Sequence, residues 1–344
     1  MDTVVHKGLH RSIQKRASLF SDLEPITLHE LWGLSEVQFV DSMVDDGVLD
    51  PPQYWSSPRS QATVGLWQFS GKGLAPGAAI QETTLFTLVD DVVGELVFRV
   101  YNKAAPEMHM AFTVNLNVTR TGASPSARLF YFEAAVTSIA ERKVLAECRL
   151  WDAETGTQLL VARGTFAFIP LAKHLAMTKS HAASAAAPLP PQHVSISTLA
   201  SLPAADLSAL DQLMNFLPPG RVTHTAGHMD ASARRIILRM RFGERVVGPP
   251  TYVHGGVLGT VLANASQLLI AKTTGLGADL VDASVRDINY HRGLPADSTD
   301  TFIEAHVETA NEDQIVALAK IMRGAHLHTS LRTTFALRQM PVKL

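Results

Sequence analysis

The stretch from Thr251 to Leu269, TYVHGGVLGTVLANASQLL, runs 19 residues without an acid, a lysine or an arginine. It is too long for one strand and reads as a helix with apolar residues on nearly every side. Such a helix has no face to offer water, so the chain around it must enclose it. A second stretch of this kind, LFTLVDDVV at 85–93, is charged only at Asp90 and Asp91. Each is followed by four alternating stretches, at 111–120, 127–138, 142–152 and 158–169 and again at 281–291, 301–310, 314–323 and 326–338. Period-two patterns such as Leu129, Tyr131, Glu133, Ala135 predict strands, and AETG at 153–156 predicts a hairpin turn. Two helices, 81–101 and 254–273, are therefore expected, each wrapped by an antiparallel sheet.

The two halves share words as well as order. ARGTFAFI (162–169) answers LRTTFALR (331–338), FTVNLNVTR (112–120) answers SVRDINYHR (284–292), and LFTLVDDVV answers LGTVLANAS (258–266). Arg163 and Arg332 stand 169 residues apart, Asn117 and Asn289 172, and Asp90 and Ala263 173. Collinear matches at nearly one separation indicate a diverged duplication. The expected organisation is an N-terminal helical arm at 1–55, a first repeat at 56–171, a Pro/Ala-rich linker at 172–218 containing SAAAPLPPQ (184–192), and a second repeat at 219–344.

With 344 residues, 46% hydrophobic and 18% charged, the chain has room for two cores of about 150 residues each. A formal net charge of −2 argues against nucleic acid as the main partner, since phosphate binding needs a basic surface. The single cysteine, Cys148, excludes an intrachain disulfide and a multi-Cys metal site, and points to the reducing interior of a cell. Residues 3–21 carry Lys7, Arg11, Lys15 and Arg16 with no acid. A mitochondrial transit peptide and a solvated surface helix would both look like this, so the expected location is the cytoplasm, or the mitochondrion on the transit reading. Pro249 to Ala271 is long enough to span a bilayer. It holds His254, Asn264, Ser266 and Gln267, however, so a buried helix and no membrane span are expected.

A helix opening on His-Gly-Gly and wrapped by an antiparallel sheet resembles the hotdog-fold acyl-CoA thioesterases of the HGG-motif (PaaI- and THEM-like) type. The resemblance covers about 60–170 and 220–340. It implies an α+β fold, a tandem or double hotdog with a long central helix in each repeat. It also implies a thioester hydrolase acting on an acyl-CoA or acyl-carrier-protein thioester, needing no cofactor beyond the coenzyme A of its substrate. Double hotdogs of this kind commonly associate further, so a homo-oligomer is an expectation. Family members place an acid nine positions after the His and use it to activate water or to attack the thioester. Nine after His254 is Ala263, so the second repeat lacks the acid. The first repeat has Asp90 at that place, but nine before it stands Gln81, in Gln81-Glu82-Thr83. Each repeat holds one half of the motif.

Gly255 and position 263 are separated by eight residues, about 12 Å along a helix. An oxyanion donor must lie about 3 Å from the thioester oxygen and the attacking group about 3–3.5 Å from its carbon. One rigid helix cannot do both. The resemblance implies that the glycine of one helix and the acid of the neighbouring antiparallel helix line one site. The candidate site residues are then Asp90 from the first repeat with His254, Gly255 and Gly256 from the second. The reciprocal set, Ala263 with Gln81-Glu82-Thr83, should be dead, and Glu82 would repel an oxyanion.

The amides of Gly255 and Gly256 lie in the unpaired first turn at the positive end of the helix dipole. Asp90 is a general base toward water or a nucleophile. Thr113 matches a family position whose hydroxyl holds the water, and Asp91, turned about 100° around the helix, is the rival to Asp90. Other readings stand beside these. His254 could only cap its helix, and one of the aspartates could be an ion-pair partner of Arg286 or Arg292. His326-x-His328 has the spacing of a metal pair without an acidic or cysteine cluster to complete it. Enoyl-thioester hydratases and dehydratases use the same fold, and a non-catalytic acyl-thioester-binding protein would also tolerate a decayed site.

Overall fold

The computed structural model describes residues 9–26, 43–45, 47–70, 82–121, 128–174, 176, 200–203, 206, 222–232, 234–243, 247–248, 252–275, 283–297 and 299–336. The chain divides into two compact units, Met1–Ala182 and Ala183–Leu344. The division falls within 172–218, most of which, including 184–192, lies outside the described residues.

In the first unit, strands β1 (Glu24–Ile26), β2 (Gln53–Ser57) and β3 (Ala62–Gln68) precede helix α2 (Glu82–Ala104). Strands β4 (His109–Arg120), β5 (Leu129–Ala140), β6 (Lys143–Asp152) and β7 (Gln158–Pro170) follow it, and a short helix α1 (Arg11–Ala17) comes before them all. The sheet is antiparallel, in the order β1-β2-β3-β5-β6-β7-β4. The second unit repeats it. Strands β8 (Ala200–Ser201), β9 (Val222–Asp230) and β10 (Arg235–Phe242) precede helix α3 (Gly255–Thr274). After it come β13 (Ala283–Tyr290), β14 (Thr301–Ala310), β15 (Gln314–Arg323) and β16 (His326–Ala336). The order is β8-β9-β10-β14-β15-β16-β13, with a two-strand ribbon of β11 (Val247–Gly248) and β12 (Tyr252–Val253) leading into α3.

The duplication goes deeper than the shared words. In each unit the register slips at the same three places. Val114 is the extra residue between Thr113↔Phe166 and Asn115↔Thr165, and Ser284 between Ala283↔Phe335 and Val285↔Thr334. Thr137 and Glu308 bulge at matching points of β5 and β14, and Leu159 and His328 at matching points of β7 and β16. Bulges bend and twist a strand locally, so retaining all three in register preserves the curl that closes the sheet over its helix. The same registers correct one sequence match. Arg163 pairs with Asn117, and Arg332 pairs with Asp287. Asp287, not Asn289, is therefore the counterpart of Asn117; a shared Asn two residues on had drawn the match off register.

Both helices are buried except in their last turns. Gly256 to Ala271 of α3 are all buried, and α2 is buried from Thr84 to Val93. Despite its length and hydrophobicity α3 carries Thr260, Asn264, Ser266 and Gln267, and no helix among the described residues is long and apolar enough to cross a membrane.

The segment expected as a helical arm also supplies sheet. β1 lies within it, and β2 runs across the boundary expected at 55. Its helix α1 covers the face of the sheet opposite α2, where Leu9, Ile13 and Ala17 pack with Trp55, Val64, Leu66, Leu129, Tyr131 and Trp151. β5 is thus covered on both faces at its start, and Leu129 to Phe132 are all buried, which blurs the alternation there. The basic residues of the segment are not all solvated. Arg16 donates two bonds to Glu133, Nε to Oε1 at 2.9 Å and a terminal nitrogen to Oε2 at 2.7 Å, with its guanidinium 4.1 Å from the Trp151 ring centre. Ile13 is fully buried, so Ile13→Ala should cost about 2–4 kcal/mol in urea unfolding. Arg16→Ala, a partly exposed pair with a ring contact, should cost about 1 kcal/mol. A cost under about 0.5 kcal/mol for Ile13→Ala, the range of ordinary surface changes, would remove α1 from the core.

Candidate active site

Asp90 and Asp91 sit in the third turn of α2, 4% and 6% exposed. A carboxylate this deep is costly unless it is hydrogen-bonded. For Asp90 the bond is identifiable: Thr113 Oγ1 donates to Oδ1 at 3.0 Å. Thr113 stands on β4 at the bulge, opposite Phe166, and the extra residue Val114 re-aims the strand where it passes the acid. The structure therefore brings together two of the sequence-derived residues, one from the helix and one from the following strand.

Carried across by register, the counterpart of Thr113 is Ala283, since both face the phenylalanine of the shared TFA word. Asp90 corresponds to Ala263. The hydrogen-bonded pair of the first unit is thus two buried alanines in the second, 3% and 1% exposed. The loss of the acid could be read from spacing along one helix. The loss of its partner could not, because the separation changes by three residues between helix and strand.

In the second unit the ribbon β11–β12 delivers the chain to His254, which caps α3 with φ −57° and ψ 136°. Its Nδ1 accepts the N–H of Gly256 at 3.1 Å. Two consequences follow. The Gly256 amide is engaged by the cap, leaving Gly255 as the motif glycine whose N–H is not the one taken by His254. The neutral ring, accepting at Nδ1, carries its proton on Nε2. Tyr290, on β13, donates from Oη to the Gly255 carbonyl at 2.9 Å, which fixes the peptide at the start of the helix. Gly259 permits this approach: a Cβ there would lie 2.8 Å from Ile288 Cδ1 and 3.5 Å from Tyr290 Oη. In sequence Gly259 was just one more small residue; its reason is the strand across from it.

The first repeat has no comparable opening among the described residues. Gln81 lies outside them, and α2 begins at Glu82. The His-x-His on β16 does not make a metal pair. His328 is the bulge residue, its ring N–H donating from Nδ1 to the Gly293 carbonyl at 3.0 Å. Burial pushes its pKa down to about 4, while His326 faces outward. No group of three or more His, Cys, Asp or Glu among the described residues could hold a metal. The Cys148 thiol is fully buried, and burial raises its pKa, which makes it unreactive.

One group near Asp90 was not found from the sequence. Glu95, one turn beyond Asp91, is 1% exposed and lies beside Arg99, whose Nε is 3.5 Å from its Oε1. A lone Glu in the second half of a helix reads as a solvated position unless the sheet that covers it is known.

No protein-family model and no curated protein sequence matches the chain. Solved structures do match it, over nearly their whole length. A tesB protein of Mycobacterium avium subsp. paratuberculosis aligns with 12% identity over 86% of this chain and 98% of that one, TM-score 0.51. A conserved hot dog fold protein of unknown function from Alicyclobacillus acidocaldarius aligns with 10% identity over 88% and 99%, TM-score 0.52. The 12:0-ACP thioesterase of Umbellularia californica aligns with 8% identity over 80% and 94%, TM-score 0.50. At these identities the likeness is one of fold, and with the repeated helix-and-sheet unit it gives the architecture: the chain is an α+β tandem hotdog, one hotdog to each unit.

Proposed function

We propose that the chain is an acyl-CoA or acyl-carrier-protein thioesterase with one working site, shared between the repeats. Asp90 and Thr113 supply the hydrolytic half, and His254 with the Gly255 amide supplies the oxyanion half. The observation that carries this reading is the paired replacement: the hydrogen-bonded Asp90–Thr113 set of the first unit stands as Ala263 and Ala283 in the second, while His-Gly-Gly opens only the second helix. Each repeat keeps what the other has lost. The thioesterases among the structural relatives act on acyl thioesters, which agrees with this chemistry.

Thr113 gives its only proton to Asp90 Oδ1, so its oxygen can only accept from anything else. A water donating to Thr113 and to the Asp90 carboxylate would be held by both, and Asp90 would take its proton as it attacks the thioester carbon. The oxygen of the tetrahedral intermediate would be met by the Gly255 N–H at the positive end of α3. The coenzyme A or carrier thiol then leaves with a proton, and the carboxylic acid is released. The ring of His254 fixes the Gly256 amide and so shapes the turn that presents Gly255.

The test is thiol release from short, long and aryl acyl-CoAs, with crotonyl-CoA hydration followed in parallel. Asp90→Asn should lower kcat by about 10²–10⁴, the range for loss of a positioned base, while Asp91→Asn keeps most of the activity. Retained hydrolysis in Asp90→Asn, with loss in Asp91→Asn, would reverse the assignment. Gly255→Pro offers a clean test of the oxyanion donor. Proline is favoured at the first position of a helix, and the extended His254 backbone (ψ 136°) is the conformation that precedes proline. This variant deletes one N–H, keeps the helix, and should cost about 10²–10³ in kcat. Full activity in Gly255→Pro would rule out the Gly255 amide.

A further inference from the structure

The carboxylate of Glu95 is sealed from solvent, and among the described residues neither of its oxygens meets a hydrogen-bond donor. Arg99 Nε lies 3.5 Å from Oε1. The guanidinium of Arg99 is itself tethered to the sheet, donating to Ser56 Oγ on β2 and to Thr63 Oγ1 on β3, the latter at 2.7 Å. Burying a carboxyl, a guanidinium and two hydroxyls under a helix usually gains no stability over apolar side chains of similar size.

The second unit shows that the fold does not require it. At the separation that joins Asp90 to Ala263, Glu95 corresponds to Leu268 and Arg99 to Lys272. Across the sheet, Ser56, Thr63, Ala134, Cys148 and Ala162 face one another in turn, and Met229, Ile236, Ala305, Ala319 and Leu331 do so in the second unit. Thr63 therefore corresponds to Ile236 and Ser56 to Met229. Leu268 and Ile236 are buried, and Lys272 turns to an ion pair with Asp206. One and the same place in the fold is apolar in one unit and polar in the other. The polar version lies in the unit that keeps Asp90 and Thr113.

We propose that Glu95, Arg99, Ser56 and Thr63 are a positioning set for the Asp90 turn of α2, in which Arg99 supplies a positive charge and Glu95 switches that charge on or off with its proton. This rests on the reading that Asp90 does the chemistry. With Glu95 neutral, the anchored guanidinium favours the anionic Asp90 and the negative charge that develops beside it. With Glu95 ionised, the guanidinium is cancelled. Along the helix Asp90 is five residues from Glu95 and nine from Arg99, about 7.5 and 13.5 Å, close enough for the loss of the Glu95 proton to be felt in a buried site. The charged groups acting on Glu95 are Arg99 and Asp91, both on its own helix, and among the described residues none comes from the strands β3 to β7 packed against α2; the hydroxyls of Ser56 and Thr63 hold Arg99. Burial raises the Glu95 pKa most; Arg99 opposes, Asp91 adds to it, and the result is about 8. The proton is therefore on Glu95 at neutral pH and leaves as pH rises through about 8.

Two variants test this. Glu95→Gln fixes the neutral form. A graft of the second unit's residues, Ser56→Met with Thr63→Ile, Glu95→Leu and Arg99→Lys, removes the whole set while keeping side chains this fold already accommodates. A carboxyl whose pKa is raised on folding stabilises the native state fully below its unfolded value and loses that contribution as pH rises to its folded value. The melting temperature of the wild type should accordingly fall relative to Glu95→Gln between pH 5 and pH 8. In thiol release, wild-type kcat should decline above about pH 8, Glu95→Gln should lose that decline, and the graft should stay folded, melt no lower than wild type, and run at least tenfold slower. A graft with wild-type kcat, or an alkaline decline unchanged in Glu95→Gln, would overturn the proposal. A wild type that releases no thiol from any thioester would instead sink the functional reading and the role with it, the melting data then reporting only where Glu95 holds its proton.

Discussion

A helix packed under a sheet must account for every ionisable group it buries, and α2 buries Asp90, Asp91 and Glu95 within six residues, all at most 6% exposed. Nothing about wrapping a sheet around a helix calls for them. The second helix meets the same packing problem with Ala263, Asn264 and Leu268 at the matching positions, and α3 is buried at least as completely. The first unit thus bears a desolvation cost the second avoids, and it offsets part of it with bonds reaching in from the sheet: Thr113 to Asp90, and the Arg99 anchor beside Glu95. Buried acids held in place by such partners are where function tends to lie.

The duplication makes the molecule its own control. Bulges at three matching points and a shared strand order show that the two units are one fold. Differences between them can then be separated from what the fold needs. Hydrophobic packing is shared: Phe166 and Phe335, Cys148 and Ala319, Val64 and Ile237 are all buried. The polar residues are divided. One unit has the acid, its hydroxyl partner and the Glu95–Arg99 set. The other has the histidine cap, the glycine turn and the tyrosine that pins it. On the proposed function, two identical repeats would each need both kinds of group, and a fused pair is free to keep one of each.

Much of this could be seen in the residues alone, and the reasons for success and failure are physical. The two helices were visible because burial on all sides removes charge, a signal that survives divergence. Strands β14 and β15 were placed to the residue because they alternate cleanly between bounding turns. A buried acid at Asp90 and a helix opening at His254-Gly255-Gly256 were legible because helical spacing is rigid; their catalytic roles belong to the proposal. Where strands entered, the reading weakened. The connection from helix to strand differs in length between the repeats, so Asn117 was matched to Asn289 instead of Asp287, and Ala283 went unnoticed as the counterpart of Thr113. The strand β5 was read from its alternation, but that its outer face is covered by α1 was not. Glu95 was missed altogether: it is buried beside Arg99, which Ser56 and Thr63 hold, and the nearness of those strands to α2 is a property of the sheet with no trace in local sequence.

The central claim is that a carboxylate from the first hotdog and an amide from the second act on one thioester. A crystal structure with a non-hydrolysable acyl-CoA analogue, its thioester replaced by a ketone, would test it most directly. The account predicts the carbonyl oxygen about 3 Å from the Gly255 nitrogen and the carbonyl carbon facing the Asp90–Thr113 pair, at a distance a single water can bridge. An analogue seated beside Ala263, or with its carbonyl out of reach of either Asp90 or Gly255, would contradict it.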